Sequence, residues 1–258
     1  MSSLPPYPPS HNLLEGKSVV VTAAAGSGIG FATAKRCAEE GASVMLSDWH
    51  ERRLNESVEK LHQSGFDAFG TVCDVTKEDD VQKLIKSAEE KFRSIDIMVN
   101  NAGLGGQSDL VDMEDEQWFN VLDVTLNGTM RCTRAALQHM IKNKSGVVVN
   151  NASVVGWRAQ AGQSHYAAAK AGVMALTRCS AIEAAPHGIR VNAVSPSFAN
   201  HPFLEKVSDP DLLRRLEAEE AFGRGAEPWE VANVIVFLAS DLSGYMTGEC
   251  VSVSSQRA

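Results

Sequence analysis

The chain has 258 residues, with 24 Lys and Arg against 32 Asp and Glu, so its formal net charge at pH 7 is −8. This acidic balance, without a basic cluster, argues against nucleic acid as a partner, while a local cationic patch for a phosphate-bearing substrate is still allowed. The length suits one α/β domain that buries a large core.

Cysteine, histidine and apolar patterns exclude several further classes of protein. The five cysteines include no CxxC pair, which argues against disulfides and zinc frameworks, and the seven histidines include no HxxxH or HExxH pair, so no metal is expected. Residues 1–15 form a Pro-rich arm, mobile or packed, without the apolar core of a signal peptide. No apolar run of about 18 residues is present to span a membrane. We therefore expect a cytoplasmic protein with one domain at 16–258.

From Lys17 onwards, short β-rich runs alternate with helical runs, a pattern that predicts a parallel sheet covered on both faces. Strands are expected at 18–22, 43–48, 68–75, 95–103, 146–153, 189–196 and 249–254. Helices are expected at 29–41, 51–65, 76–92, 115–142, 162–185 and 227–241, with Thr76 as a candidate N-cap. Residues 198–226 are expected to be irregular and helical. The predicted fold is α/β, a doubly wound, seven-stranded parallel sheet.

A glycine-containing loop, TAAAGSGIG at 22–30, follows the first predicted strand and opens the first helix. Gly26, Gly28 and Gly30 would let backbone N–H groups approach a pyrophosphate, and a helix N-terminus favours its negative charge. By composition alone, the stretch would also suit an ordinary strand–helix turn. Its place after the first strand favours nucleotide binding.

Asp48 ends the second predicted strand, where a carboxylate can accept hydrogen bonds from adenosine ribose hydroxyls and repel a 2′-phosphate. The alternative is that Asp48 simply caps the following helix. Trp49 rather than a basic residue follows it, which favours NAD, while Arg52 and Arg53 lie close enough to keep NADP as the alternative.

Tyr166 and Lys170 lie four apart in an Ala-rich run that favours helix, so they share one helical face. An ammonium beside the phenol is expected to lower its pKa from about 10, which would make Tyr166 a general acid or base for an alcohol or ketone. Ser153, at the end of a predicted strand, can donate a hydrogen bond to the same substrate oxygen. The alternative is an exposed helix pair without function.

Together, Ser153, Tyr166 and Lys170, TAAAGSGIG and the NNAG stretch at 100–103 resemble the short-chain dehydrogenase/reductase family, from about Gly16 to Val253. The resemblance implies a Rossmann-type fold, a homotetramer and hydride transfer between a nicotinamide cofactor and a secondary alcohol or ketone. In this family the tyrosine exchanges the proton, the serine hydrogen-bonds the substrate oxygen, and the lysine holds the nicotinamide ribose.

The resemblance also implies two sets of contact residues. Those for the cofactor are Ala24, Gly26, Ser27, Gly28, Ile29, Gly30, Asp48, Trp49, Asp74, Val75, Asn101, Ala102, Gly103, Tyr166, Lys170, Pro196 and Ala199. Those for the substrate are Ser153, Trp157, Gln163 and Phe198. Residues 198–222 would form a mobile substrate loop. His165, beside Tyr166, either lines the pocket or lies behind or outside it.

The chain departs from the family pattern at several places. Ala23 and Ala24 lengthen the glycine loop and replace its first glycine, and Thr125 in VTLNG stands at the position of a catalytic asparagine, with Asn127 two residues later. Ser197 and His201 replace a glycine and a threonine, and SSQ at 254–256 replaces DGG. We still expect activity and keep Thr125 as a fourth catalytic candidate.

TAAAGSGIG, VTLNG and VSVSSQ together resemble a subgroup of actinobacterial reductases of steroid ring degradation, which act on hydroxyl or keto groups of CoA-linked ring fragments. Arg214 and Arg215 would then offer cations to CoA phosphates, although such a pair also suits a solvated helix face. Two alternatives stay open: a sugar or polyol dehydrogenase, and a catalytically silent NAD(H)-sensing module, which the substitutions at 23–24, 125, 197 and 201 motivate.

Overall fold

The computed structural model describes residues 4–200 and 210–255. Its strands are β1 Ser18–Val21, β2 Ser43–Asp48, β3 Ala68–Val72, β4 Ile97–Asn100, β5 Gly146–Asn151, β6 Ile189–Pro196 and β7 Cys250–Val253. Its helices are α1 Ile29–Glu39, α2 Glu51–Gln63, α3 Glu78–Phe92, α4 Asp115–Leu122, α5 Gly128–Asn143, α6 Ser164–Ala184, α7 Pro210–Glu219 and α8 Pro228–Ala239.

The strands form one parallel sheet in the order β3-β2-β1-β4-β5-β6-β7, which confirms the predicted fold class. Helices α1, α2 and α8 pack on one face, and α3, α5 and α6 pack on the other. Because both faces are covered, central strands such as Val19–Val21 are fully buried and read as continuous apolar runs. Among the residues described here, no helix has the length and apolarity needed to cross a bilayer.

The chain reverses its direction across the sheet between β3 and β4, because β4 adds to the opposite edge of β1. A crevice opens at such a switch point, outside the carboxyl ends of the two central strands. The glycine loop follows β1, and NNAG begins in the last residue of β4, so both motifs reach this crevice.

Two local predictions need correction. The long helix expected at 115–142 is interrupted by a π turn at Asp123–Asn127, a one-residue expansion that apolar periodicity does not reveal. Thr76 does not cap α3, whose N-cap is Lys77. The helix begins one residue later than a Thr76 cap would require, and the Thr76 N–H and hydroxyl both donate to Asp74 Oδ1, at 3.0 and 2.7 Å.

The described part of the N-terminal arm is packed rather than free. The Tyr7 ring lies 5.2 Å from that of Trp229 in α8, and its hydroxyl donates to Glu39 in α1 at 2.7 Å. The backbone N–H groups of His11 and Leu13 both donate to Glu40. The arm therefore joins α1 and α8 on one side of the sheet.

Candidate active site

The glycine loop makes a tight turn at Ala23, a non-glycine residue in the left-handed region with φ 48°. The position therefore has the backbone conformation that glycine adopts most easily, which explains why the family usually has glycine here. A Cβ on Gly30 would lie 2.2 Å from the Ala23 carbonyl oxygen and 2.5 Å from Asn101 Nδ2. Asn101 Nδ2 donates to the carbonyls of Thr22 and Ala23 at 3.2 and 3.1 Å, so it joins the two motifs.

The start of α1 fits a phosphate group. Its N-cap is Gly28, no side chain caps it, and its first turn contains no acidic residue. A Cβ built on Gly26 or Gly28 would meet nothing within 4 Å, so there is open space beside the loop at these two residues. Ser57 of α2 accepts a hydrogen bond from Gly26 N–H at 3.0 Å and supports the loop from behind. The geometry suits the nucleotide pyrophosphate that the loop sequence predicts.

Asp48 is buried at the end of β2, next to the glycine loop. Its Oδ2 accepts from Ala25 N–H at 3.4 Å, and its Oδ1 accepts from His50 N–H at 2.9 Å. The carboxylate thus contacts both the loop and His50, which is the N-cap of α2. Asp48 is not itself the cap, so the alternative that it simply caps this helix is wrong. Trp49 beside it is 71% exposed, which leaves its ring free to meet an adenine.

Asp74 and Val75 follow β3 and form the outer side of this region. Burial pushes up the pKa of Asp74, but hydrogen bonds from Thr76 and the nearby Lys77 outweigh it and leave that pKa below its ordinary value. Val75 is buried against the start of α5, where a Cβ on Gly128 would lie 2.7 Å from its Cγ2. Asp74 therefore stays ionised and half-buried at the edge of the crevice.

Ser153, Tyr166 and Lys170 converge at the carboxyl end of β5. The Ser153 hydroxyl hydrogen-bonds with the Tyr166 phenol and lies 3.5 Å from the Pro196 carbonyl. Lys170 Nζ donates to the Asn151 carbonyl at 2.5 Å and lies 5.5 Å from the centroid of the Tyr166 ring. The structure thus brings together the three residues that the sequence singled out.

The electrostatics of this group differ from our expectation. Burial raises the pKa of the Tyr166 phenol to about 12, and its hydrogen bond with Ser153 offsets part of the rise. Burial lowers the pKa of the Lys170 amine to about 7. The prediction that a fixed ammonium lowers the phenol pKa is therefore wrong for the chain alone, because desolvation penalises the charged forms of both groups.

Thr125 is fully buried in the π turn and does not point its hydroxyl at Tyr166. Its Oγ1 accepts from Leu104 N–H at 2.9 Å and donates to the Leu104 carbonyl at 3.1 Å. A Cβ on Gly103, the residue before Leu104, would lie 3.4 Å from Lys170 Nζ and 3.8 Å from Thr125 Oγ1. Thr125 therefore holds the loop after β4 where that loop passes over the lysine.

That loop continues past the tyrosine and is held by the residues around it. Gln163 Nε2 donates to the Gly106 carbonyl at 2.6 Å, so its amide binds the loop. A Cβ on Gly106 would lie 3.1 Å from both Gln117 Nε2 and His165 Nε2, and one on Gly105 would lie 4.0 Å from the Tyr166 ring. His165 is fully buried behind this loop, which decides between the two positions considered for it.

The remaining candidates for substrate contact are at least partly exposed to solvent. Trp157 is half exposed, at 50%, and Phe198 is half-buried against Gly225. Arg214 forms an ion pair with Asp211 on the exposed side of α7, and Arg215 is exposed. His201 and Gln256, two of the departures from the family pattern, lie outside the described residues.

Sequence reasoning missed a pair of asparagine contacts that ties the two halves of the site together. Asn100 and Asn150 are partners in the register of β4 and β5, and Asn100 Nδ2 donates to Asn150 Oδ1 at 2.8 Å. Asn151 Nδ2 donates to Asn101 Oδ1 at 2.9 Å, while the Asn151 carbonyl accepts from Lys170. The sequence signal that could have predicted these contacts is the pair of adjacent asparagines at the end of each of two predicted strands, at 100–101 and 150–151.

Known proteins share this fold and are similar to the chain in sequence. The family model described as Enoyl-(Acyl carrier protein) reductase matches residues 23–255. The chain belongs to the short-chain dehydrogenase/reductase family. It is an oxidoreductase that transfers hydride between a nicotinamide cofactor and a secondary alcohol or ketone.

Among relatives, the chain is 60% identical over 248 residues to a Mycobacterium tuberculosis protein, with 95% of each covered. That protein is named (5R,7aS)-5-hydroxy-7a-methyl-1-oxo-2,3,5,6,7,7a-hexahydro-1H-indene-carboxyl-CoA reductase. The chain is also 40% identical to the 3-oxoacyl-(acyl-carrier-protein) reductase FabG of Thermotoga maritima, covering 93% of this chain and 97% of that one. The first of these relatives is thus named as a reductase of a CoA-linked ring compound, the class of protein that the chain's departures from the family pattern indicated.

A solved structure of a short chain dehydrogenase from Mycobacterium smegmatis superposes with a TM-score of 0.89 at 56% identity and covers 99% of both chains. Neither the sugar or polyol dehydrogenase nor the silent NAD(H)-sensing module is favoured by these likenesses.

Proposed function

We propose that the chain is an NAD(H)-dependent reductase of a ring ketone, or in reverse a dehydrogenase of the ring alcohol, on a bicyclic, steroid-derived CoA thioester. The observation that carries the proposal is the convergence of Ser153, Tyr166 and Lys170 beside the glycine loop at one switch point of the sheet. The relative that is 60% identical supports the substrate class through its name.

Tyr166 is the proton donor in this proposal. Its raised pKa keeps the phenol protonated at neutral pH, which is the form that gives a proton to the oxygen of a ketone. A nicotinamide held beside this group would supply the hydride to the carbonyl carbon. The Ser153 hydroxyl, whose contact to Pro196 is long at 3.5 Å, turns to hydrogen-bond the same oxygen and stabilises its developing charge.

Lys170 and Thr125 have different tasks. The Lys170 amine faces Gly103 and would hold the nicotinamide ribose hydroxyls. When protonated, it would lower the pKa of the neighbouring Tyr166 phenol. Thr125 is a positioning residue, because both its donor and its acceptor contacts go to the Leu104 backbone. The threonine at the family's asparagine position therefore takes no part in proton transfer, which Tyr166 carries out.

The remaining cofactor contacts follow the same edge of the sheet. Backbone groups at 24–30 would bind the pyrophosphate, and Asp48 would accept hydrogen bonds from the adenosine ribose hydroxyls, which favours NAD over NADP. Asp74 and Val75 would flank the adenine. Residues 101–103, together with Pro196 and Ala199, would line the nicotinamide side of the crevice.

The phosphates of the CoA part of the substrate need cations, and its length needs an accessible surface beside the catalytic residues. Arg215 is exposed on α7 within the proposed substrate loop at 198–222, and Trp157 is half exposed. We also propose a cytoplasmic homotetramer with one catalytic domain at 16–258, as is usual in the family. These assignments follow from the resemblance and from the charge and exposure of the side chains named.

The test is a steady-state assay that follows the absorbance of reduced nicotinamide. The substrate is a hexahydro-indene-carboxyl-CoA thioester with a ring ketone, compared with its free acid and with NADH or NADPH as reductant. We expect turnover with NADH and at least about a tenfold higher kcat/KM for the thioester. The Tyr166→Phe variant is expected to lower kcat by about 10² to 10⁴-fold, the usual contribution of a positioned general acid.

Tyr245→Phe is the matched control, because Tyr245 is fully exposed. Turnover of sugar alcohols but not of the thioester would overturn the substrate proposal. Unchanged kcat in Tyr166→Phe would overturn the role of the phenol.

A further inference from the structure

At 254–256 the chain has SSQ where the family has DGG, and the structure shows the contacts of the first two of these residues. Ser255 lies two residues beyond β7. Its hydroxyl donates to Glu220 Oε2 at 2.7 Å, and its carbonyl accepts from Ala221 N–H at 2.9 Å. Phe222 N–H approaches the Ser255 hydroxyl at 3.4 Å. A glycine at 255 would keep the carbonyl contact and lose those of the hydroxyl.

Glu220 also reaches the first residues of the substrate segment. Its second carboxylate oxygen lies 3.5 Å from Phe198 N–H. Ala226 N–H donates to the Phe198 carbonyl at 2.8 Å, and its own carbonyl accepts from Asn200 N–H at 2.9 Å. Residues 198–200 are therefore fastened to residues 220–226 by backbone and carboxylate together.

The same stretch leads directly into the catalytic group. Ser197 N–H donates to the Val253 carbonyl at 3.1 Å, which continues the pairing of β6 with β7. The Pro196 carbonyl, one residue earlier, accepts from Ser153 at 3.5 Å. Ser255 and Glu220 thus hold the backbone directly after Pro196, the residue whose carbonyl accepts from Ser153.

We propose that Ser255 and Glu220 are positioning residues that hold residues 197–200 and 220–222 together and so set the affinity of the site for its substrate. The inference rests on the proposed function for its effect on catalysis, but not for the contact itself. The physical reason is that a hydrogen bond from a hydroxyl to a carboxylate is stronger than one between neutral groups. The Glu220 carboxylate contacts both Ser255 and Phe198, so this bond links the two stretches.

The first test replaces the hydroxyl alone, with Ser255→Ala. Amide hydrogen exchange of the cofactor-free protein is expected to accelerate by about tenfold at Phe198, Asn200, Ala221 and Phe222, since loss of a charge-assisted hydrogen bond changes an opening equilibrium by about that factor. KM for the CoA thioester is expected to rise about 3- to 10-fold, with kcat within about twofold. Ser254→Ala is the matched control, because the Ser254 hydroxyl bonds with Ser252 instead.

The second test is a double-mutant cycle with Glu220→Ala. If the two residues act through each other, the double variant shows little more exchange or KM change than either single variant. Glu220→Gln keeps an acceptor for Phe198 N–H and for the Ser255 hydroxyl but loses the negative charge, so its exchange rates and KM are expected to lie between those of the parent protein and those of Glu220→Ala. Equal thermal midpoints in all variants show that the effect is local.

Unchanged exchange at these amides in Ser255→Ala, or additive effects in the cycle, overturns the inference. Absence of turnover on every ketone would instead overturn the proposed function and leave the exchange result standing. The two failures are therefore distinguishable.

Discussion

Replacing Lys170 by methionine is expected to abolish activity and yet stabilise the cofactor-free protein at pH 7. The side chain is 2% exposed, and its amine donates to the Asn151 carbonyl. Burial lowers the pKa of the amine from its ordinary 10.5 to about 7, because the ammonium loses its hydration inside the protein. The folded chain therefore binds the proton of Lys170 less tightly than the unfolded chain does.

The sign and size of the effect follow from this difference. Between about pH 7 and pH 10.5 the unfolded chain binds more protons, so the stability contributed by Lys170 rises with pH in this window and is lowest below it. The gap corresponds to at most about 5 kcal/mol, at about 1.4 kcal/mol per pH unit. The hydrogen bond lost with the amine is worth about 1 kcal/mol. We expect Lys170→Met to be about 1–3 kcal/mol more stable at pH 7 and to lose this advantage by about pH 10.

The assay is urea unfolding of the cofactor-free parent and variant proteins at one protein concentration and several pH values. The quantity of interest is the difference in the free energy of unfolding between the two proteins, in which groups common to both cancel. Lys142→Met, at an exposed lysine of α5, supplies the background for removing a positive charge. A difference for Lys170→Met that does not change between pH 7 and pH 10 would refute the reasoning.

Three further predictions concern the loops around the site. Gly30→Ala is expected to abolish NADH binding, measured by fluorescence titration, because its Cβ would lie 2.2 Å from the Ala23 carbonyl oxygen. Ala23→Gly is expected to stabilise the protein by about 0.5–1 kcal/mol in urea unfolding, because φ is 48° at this position. Gln163→Leu is expected to raise KM about 3- to 10-fold in the thioester assay, because the Gly106 carbonyl loses its donor.

Each of these has an outcome that contradicts it. NADH affinity within about twofold of the parent in Gly30→Ala would show that the loop can move away. A less stable Ala23→Gly would show that the packing of the methyl group outweighs the backbone strain. The same rise in KM in Gln160→Leu, at an exposed residue of the neighbouring loop, would show that the effect of Gln163→Leu is not specific to its contact with Gly106.

Much of the fold was readable because it rests on local patterns. The strands Ser43–Asp48 and Ile189–Pro196 were predicted at their observed bounds, and the other strands and most helices were placed within a few residues. Apolar runs and glycine stops are properties of adjacent residues, so they can be read from the sequence. The π turn at Asp123–Asn127 was missed because one inserted residue in a helix changes the register of its faces without changing its composition. The Thr76 cap was wrong because α3 begins one residue later, after Lys77, while Thr76 forms a local turn with Asp74.

The sequence by itself determined the parallel sheet, the glycine loop at its centre and the spacing that puts Tyr166 and Lys170 on one helical face. Only the tertiary structure decided the protonation of these two side chains, because desolvation depends on what the rest of the chain packs around them. The tertiary structure also determined the contacts of Thr125, Gln163 and Ser255, whose hydrogen-bond partners lie 21, 57 and 35 residues away in the sequence. Contacts at that separation exist only when the sheet brings its loops to a common edge.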